Sequence, residues 1–154
     1  MRADRLVLDA SVVVEYLDEE SPYADRVERL YSAISSRRVE AIIPVTTISE
    51  VLYVSARVYR EAGVEDPNRE AINFVTWLTR QLAVRLASPT LQVSMLAGEL
   101  RKEMGISILD CYVIATASVM HATPLFLRME REMEPYADLL AKYGVRFLAE
   151  YEPP

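Results

Sequence analysis

Cysteine is almost missing from this 154-residue chain: Cys111 is the single copy, so a disulfide framework and a thiolate zinc site are both excluded. Histidine is as scarce. His121 stands alone, which removes histidine-clustered metal sites and argues against a Ser-His-Asp triad. No long apolar run is present either. The longest weakly polar stretch, Cys111 to Met120, falls far short of the ~20 residues a membrane helix needs. The charged start, Met1-Arg2-Ala3-Asp4-Arg5, is not followed by an apolar segment of signal-peptide length, so a soluble, cytoplasmic protein is expected. Positive charge is also in deficit. Seventeen basic residues against 23 acidic ones leave a net charge of −6, the wrong sign for gripping nucleic acid by bulk electrostatics. Lysine is rarer still, with only Lys102 and Lys142; the other basic residues are arginines, which suit bidentate phosphate contact and surface ion pairs alike.

What the chain does have is apolar material, 51% by residue, enough for one sizeable core at this length. With no linker, repeat or low-complexity segment, residues 1–154 read as one domain. Arg5 to Asp9 reads as a strand, followed by a turn and a short helix through Leu17. Ala24 to Ser35 places Val27, Leu30, Tyr31 and Ile34 at helical spacing. Val39 to Val45 reads as a second strand, Thr47 to about Ala62 as a helix ended by Gly63, and Pro67 to Leu82 as another helix. Val84 to Ala87 follows as a strand, then helices from Thr90 to Met104 and from Ser107 to Met120. Pro124 to Leu127, Met133 to Lys142 and Val145 to Leu148 complete the pattern as strand, helix and strand. Such alternation predicts an α/β fold, a three-layer α/β/α arrangement with a central parallel sheet.

Open sheets of this kind take their ligands outside the carboxyl ends of the strands. Asp9 ends the first strand there, although a turn or N-cap role accounts for an aspartate at that place equally well. Glu50 lies in Thr47-Ile-Ser-Glu50 and Asp110 in Ser107-Ile-Leu-Asp110, both with capping-box spacing, and either taken singly is explained by capping alone. The combination carries more. Three acids at helix starts and strand ends can meet at one sheet edge, where their mutual repulsion calls for a cation. An all-carboxylate set suits a hard ion, Mg²⁺ or Mn²⁺. Such an ion activates water and stabilises charge on phosphate without any histidine.

With these residues in view, the sequence resembles the PIN-domain proteins of the VapC toxin type. The likeness rests on Leu6-Val-Leu-Asp9-Ala-Ser11-Val-Val-Val-Glu-Tyr-Leu17, on Ile48-Ser-Glu50-Val-Leu-Tyr53, on Ile106-Ser-Ile-Leu-Asp110-Cys-Tyr-Val-Ile-Ala115-Thr-Ala117, and on Thr123-Pro-Leu-Phe126, in that order and spacing. The resemblance implies a metal-dependent endoribonuclease with Asp9, Glu50 and Asp110 in its acidic site and Ser11 hydrogen-bonded beside Asp9. It also implies a partner antitoxin of the VapB type and a homodimer. The chain departs from the family after its fourth strand, where the usual hydroxyl residue and Asn or Asp are replaced by Leu127-Arg-Met-Glu130-Arg-Glu132. Glu130 is the candidate for the fourth acid and Glu132 the second choice. Arg128 and Arg131 are candidates for contacting the RNA backbone.

Two other folds with clustered acids fit these residues less well. A receiver domain needs a lysine after its last strand, and neither lysine sits at a strand end. A haloacid-type phosphatase needs a second aspartate where Ser11 stands. The stronger rival is a PIN-like module that binds RNA or protein without cutting, motivated by the irregular fourth acid. Trp77 and Phe74 are expected in the core or an interface rather than against bases. The helix of Pro67 to Leu82, beside that of Tyr53 and Tyr59, is a candidate partner groove. His121, at the end of an apolar helix, is expected to be its C-terminal cap or a surface residue.

Overall fold

The computed structural model describes residues 3–154; Met1 and Arg2, which open the charged start, lie outside the described residues. The strands are β1 (Asp4–Leu8), β2 (Val39–Pro44), β3 (Val84–Ala87), β4 (Thr123–Phe126) and β5 (Arg146–Phe147). They form one sheet in the order β3-β2-β1-β4-β5, and every pairing is parallel. The helices are α1 (Ala10–Glu15), α2 (Ala24–Ser35), α3 (Val45–Glu61), α4 (Pro67–Thr79), α5 (Leu91–Glu103), α6 (Ile108–Met120) and α7 (Ala137–Lys142). The expected three-layer α/β/α architecture is the one observed.

Strand alternation makes the layers. On β1, Leu6 and Leu8 enter the core shared with α1, α2 and α4, while Val7 between them enters the core shared with α5 and α6. β2 repeats this, sending Val39, Ala41 and Ile43 to the first core and Ile42 to the second. β4 does so again with Leu125 and Phe126. A strand covered on both faces must be apolar at every position, which explains why Leu6 to Leu8 is an unbroken apolar run. Burying each such side chain is worth about 1.5–3 kcal/mol.

The chain starts in the middle of its sheet. It adds β2 and β3 on one side, then crosses back to place β4 against the other side of β1. The switch point between β1 and β4 is where a ligand crevice belongs. Helix direction brings further residues to it. β4 begins at Thr123, opposite Leu6 in the middle of β1, and Arg5 donates at 2.6 Å to the carbonyl of Met120 at the end of α6. α6 therefore ends at the amino edge of the sheet, and its first turn, with Asp110, stands at the carboxyl edge.

Several expected boundaries move, each for a local reason. β1 stops at Leu8 and Asp9 is the N-cap of α1, yet the Asp9 N–H still donates to the Leu125 carbonyl at 3.0 Å, so the residue remains tied to the sheet. α3 begins at Val45 rather than Thr47, running straight out of β2 with Pro44 as N-cap and no side-chain cap. The Thr47–Glu50 capping box is therefore not formed: Thr47 is buried within the helix and Glu50 is its sixth residue. α4 ends at Thr79, leaving Leu82 83% exposed. The last predicted helix is split by Pro135 into a 3₁₀ turn, Glu134–Tyr136, and α7. His121 does close α6, in the left-handed conformation at φ 53°.

Candidate active site

Asp9 is the most constrained acid at the carboxyl edge. It is 7% exposed, and its Oδ2 accepts from the Ser11 backbone N–H at 3.0 Å and from Ser11 Oγ at 2.6 Å. The same Ser11 Oγ accepts from the Leu127 N–H at 3.2 Å, so one hydroxyl ties Asp9 to the end of β4. All of this loads one oxygen. Asp9 Oδ1 is buried and has no hydrogen-bond partner, an expensive state for a carboxylate unless something else meets it. Ser11 lies in the first turn of α1, behind Asp9 as the N-cap, and bonds to the Asp9 carboxylate. The Leu127 N–H is the participant that the sequence did not suggest, because a backbone donor leaves no residue-type signature.

Asp110 occupies the first turn of α6, where Ser107 is the N-cap and accepts from the Leu109 N–H at 3.2 Å. That is a simple N-cap bond to the second helical residue, not the bond from the Asp110 N–H that the expected capping box requires; no return bond from Asp110 is made either, and its carboxylate is left for other work. Burial pushes Asp110 up to about 8, helped by the nearby charges of Asp9, Glu50, Glu132 and Glu130. Glu50, half-buried on α3, is raised by burial and then by Asp9. Asp9 is raised by burial, against the lowering effect of the Ser11 bonds, with Glu130 adding to the rise. The electrostatics thus bring Asp9, Glu50 and Asp110 into one field, with Glu130 and Glu132 at its margin.

These groups are gathered but not closed on a point: among the described residues, no three Asp, Glu, His or Cys side chains form a ready shell for one ion. The donor set nonetheless fits a hard divalent cation, because it is all carboxylate and includes the orphaned Asp9 Oδ1.

The loop after β4 carries the remaining candidates. Glu130 is exposed and pairs with Arg128 at 3.6 Å, where side-chain exposures of 48% and 57% leave the pair mostly hydrated. Arg131 and Glu132 are exposed as well. Thr46 was not foreseen. It stands four residues before Glu50 on the same face of α3, with a buried hydroxyl lacking a partner. Cys111, next to Asp110, is fully buried with its thiol pushed up to about 11 by burial and by Asp110, which leaves it no thiolate chemistry near neutral pH.

The family model of the PIN domain matches residues 6–146. The chain belongs to the PIN-domain family. No curated protein sequence matches it. Among solved structures, it is similar to Mycobacterium tuberculosis VapC20, a sarcin-ricin loop cleaving toxin, at 13% identity and a TM-score of 0.63, covering 85% of this chain and 94% of that one. It is similar too to VapBC-1 from nontypeable Haemophilus influenzae, at 13% identity and a TM-score of 0.62, covering 95% and 99%. VapBC2 from Rickettsia felis, bound to a promoter DNA fragment, matches at 12% identity and a TM-score of 0.61, over 80% and 88%. At such identities the likeness is one of fold.

Proposed function

We propose that the protein is a metal-dependent endoribonuclease of the VapC kind, hydrolysing RNA phosphodiester bonds with Mg²⁺ or Mn²⁺ held by Asp9, Glu50 and Asp110. The observation that carries this reading is Asp9 Oδ1, a buried carboxylate oxygen without a partner among acids that raise one another's pKa. Asp9 and Asp110 serve as the direct ligands, and Glu50 completes the set directly or through water. Ser11 fixes the rotation of the Asp9 carboxylate through Oδ2, keeping Oδ1 turned to the ion. The bound ion would supply positive charge to the scissile phosphate and acidify water for attack. Glu130 takes the part of the family's fourth acid, with Glu132 as the second choice. Arg128 and Arg131 hold the RNA backbone against a site whose other charges are negative.

The fold's likeness to VapBC complexes supports an antitoxin-type protein partner, and homodimerisation accords with the same resemblance. The chain acts as one domain and works in the cytoplasm; no helix among the described residues is long and apolar enough to cross a membrane.

The test is cleavage of a broad RNA panel by purified protein with Mg²⁺ or Mn²⁺ and with chelator. Ion-dependent cleavage that disappears in Asp9→Asn and Asp110→Asn supports the enzyme. A second reading, a PIN module that binds without cutting, draws on Glu130, which is exposed and paired with Arg128 rather than directed at the acids alone. RNA retention with no cleavage at any metal concentration would decide for that module.

A further inference from the structure

The acid edge is also bordered by the corner where α5 turns into α6. α5 ends at Glu103 and α6 begins at Ile108, so only Met104 to Ser107 join them. The last turn of α5 therefore stands beside the first turn of α6, at the carboxyl edge. Met104 and Ile106 are buried at 1% and 0% exposure and anchor the connection in the core under α6. Two side chains on this fixed corner are left to solvent. Arg101, in the last turn of α5, is exposed and forms no ion pair among the described residues. A cation there suits the helix dipole. Yet Lys102 beside it is tied to Glu99 at 2.9 Å, and Arg128 in the loop after β4 to Glu130 at 3.6 Å, whereas the Arg101 guanidinium has no such partner. Its charge does reach the surroundings of Asp110: burial and Asp110 push the Cys111 thiol up, and Arg101 pulls against them. Ile108 is the second side chain. It is 44% exposed, the one exposed apolar residue of α6, and lies two residues before Asp110.

We propose that this corner is a nucleotide subsite of the acidic edge, where Arg101 takes a backbone phosphate next to the one cut and Ile108 takes the nucleoside attached to it. The inference rests on the reading above that RNA lies across the acids, and it extends the RNA path beyond Arg128 and Arg131. A planar guanidinium without a carboxylate partner offers its fork of donors to two phosphate oxygens. It also answers a difficulty of the site. A polyanion approaching Asp9, Glu50 and Asp110 needs cations at the rim, and a net charge of −6 supplies none in bulk. Asp110 does not take up the Arg101 charge, because no ion pair joins the two. The open face of Ile108 leaves water when a sugar or base covers it, a contribution that salt screening does not touch.

The two contributions separate in one titration. An end-labelled fluorescent oligoribonucleotide is bound to the full-length protein in Ca²⁺, a hard ion for carboxylate sites, and anisotropy is read at several KCl concentrations. Wild-type log Kd should rise linearly with log salt. Arg101→Gln should lower that slope by about 0.7, the share of one phosphate contact on a single strand, and weaken binding about tenfold at low salt. Arg101→Lys, which keeps the charge, should keep the slope. Ile108→Ser should weaken binding about fivefold at every salt concentration with the slope unchanged. Arg37→Gln, which changes an exposed arginine before β2 at the amino edge, should alter neither. The proposal is overturned if wild type binds no RNA, if Arg101→Gln keeps the wild-type slope, if Arg37→Gln lowers it as much, or if Ile108→Ser binds as wild type does. RNA cleavage with Mn²⁺ is read alongside. Arg101-dependent binding without any cleavage removes the nuclease reading and leaves the subsite; cleavage with an unchanged Arg101→Gln slope removes the subsite and leaves that reading.

Discussion

Replacing Asp110 by Asn should stabilise the metal-free protein at pH 8 while removing its proposed activity. Asp110 is pushed from 3.8 to about 8 by burial and by four neighbouring carboxylates. Its folded form therefore holds a proton that the unfolded chain has already released above about pH 4. Between those values the unfolded state binds fewer protons, so stability falls as pH rises, and the full penalty is present only above about 8. At about 1.4 kcal/mol per pH unit the gap sets a ceiling of roughly 5–6 kcal/mol. Partial water access and splaying of the acids reduce this, and a loss of about 2–3 kcal/mol is expected. For a chain of this size that is a fall in Tm of about 5–10 °C. Asparagine has the same shape and no charge to desolvate. In EDTA, the wild-type Tm should therefore drop from pH 5 to pH 8, and the drop should be much smaller in Asp110→Asn. Adding Mn²⁺ at pH 8 should restore wild type and leave the variant nearly unmoved. Identical pH slopes for the two proteins in EDTA would refute the reasoning, because Asp110 would then carry no stored repulsion.

Ser11→Ala removes the hydroxyl that bridges Asp9 Oδ2 and the Leu127 N–H; about 1–2 kcal/mol of stability should go with it, measured by urea denaturation, and RNA cleavage should fall about 10–100-fold, with Ser11→Thr recovering much of both. Leu8, 1% exposed on β1, tests the core alone: Leu8→Ala should cost about 2–5 kcal/mol in the same denaturation assay, without changing Mn²⁺ affinity of the protein that remains folded. Arg128→Ala breaks only a half-exposed pair, so stability should change by less than about 1 kcal/mol, whereas KM for RNA should rise severalfold in initial-rate measurements.

Much of this fold could be read before any coordinates because its strands are covered on both faces. Leu6 to Leu8, Val39 to Ile43 and Leu125 with Phe126 are apolar runs bounded by turns, and the two-layer burial explains them directly. The helix ends were less legible. Spacing alone suggested two capping boxes, but Pro44 lets β2 pass into α3 without a side-chain cap, and Ser107 caps α6 through the Leu109 N–H without closing a box with Asp110. That error bears on function: Glu50 sits in the second turn of α3, where no capping role competes for its carboxylate. The Leu127 N–H, the partnerless Thr46 hydroxyl and the aromatic stack of Tyr16 were invisible because each depends on residues distant in sequence. Glu130 contributes to the rise of both Asp9 and Asp110, but its pairing with Arg128 could not be foreseen from residue order.

The central claim is that these acids hold a divalent cation, and the most direct measurement is a crystal of the protein soaked in Mn²⁺ and examined by anomalous diffraction. The account predicts a peak within coordination distance of Asp9 Oδ1 and of the Asp110 carboxylate, with Glu50 in the first or second shell and no comparable peak in Asp9→Asn. An empty carboxyl edge at saturating Mn²⁺, with Asp9 and Asp110 still apart, would contradict it.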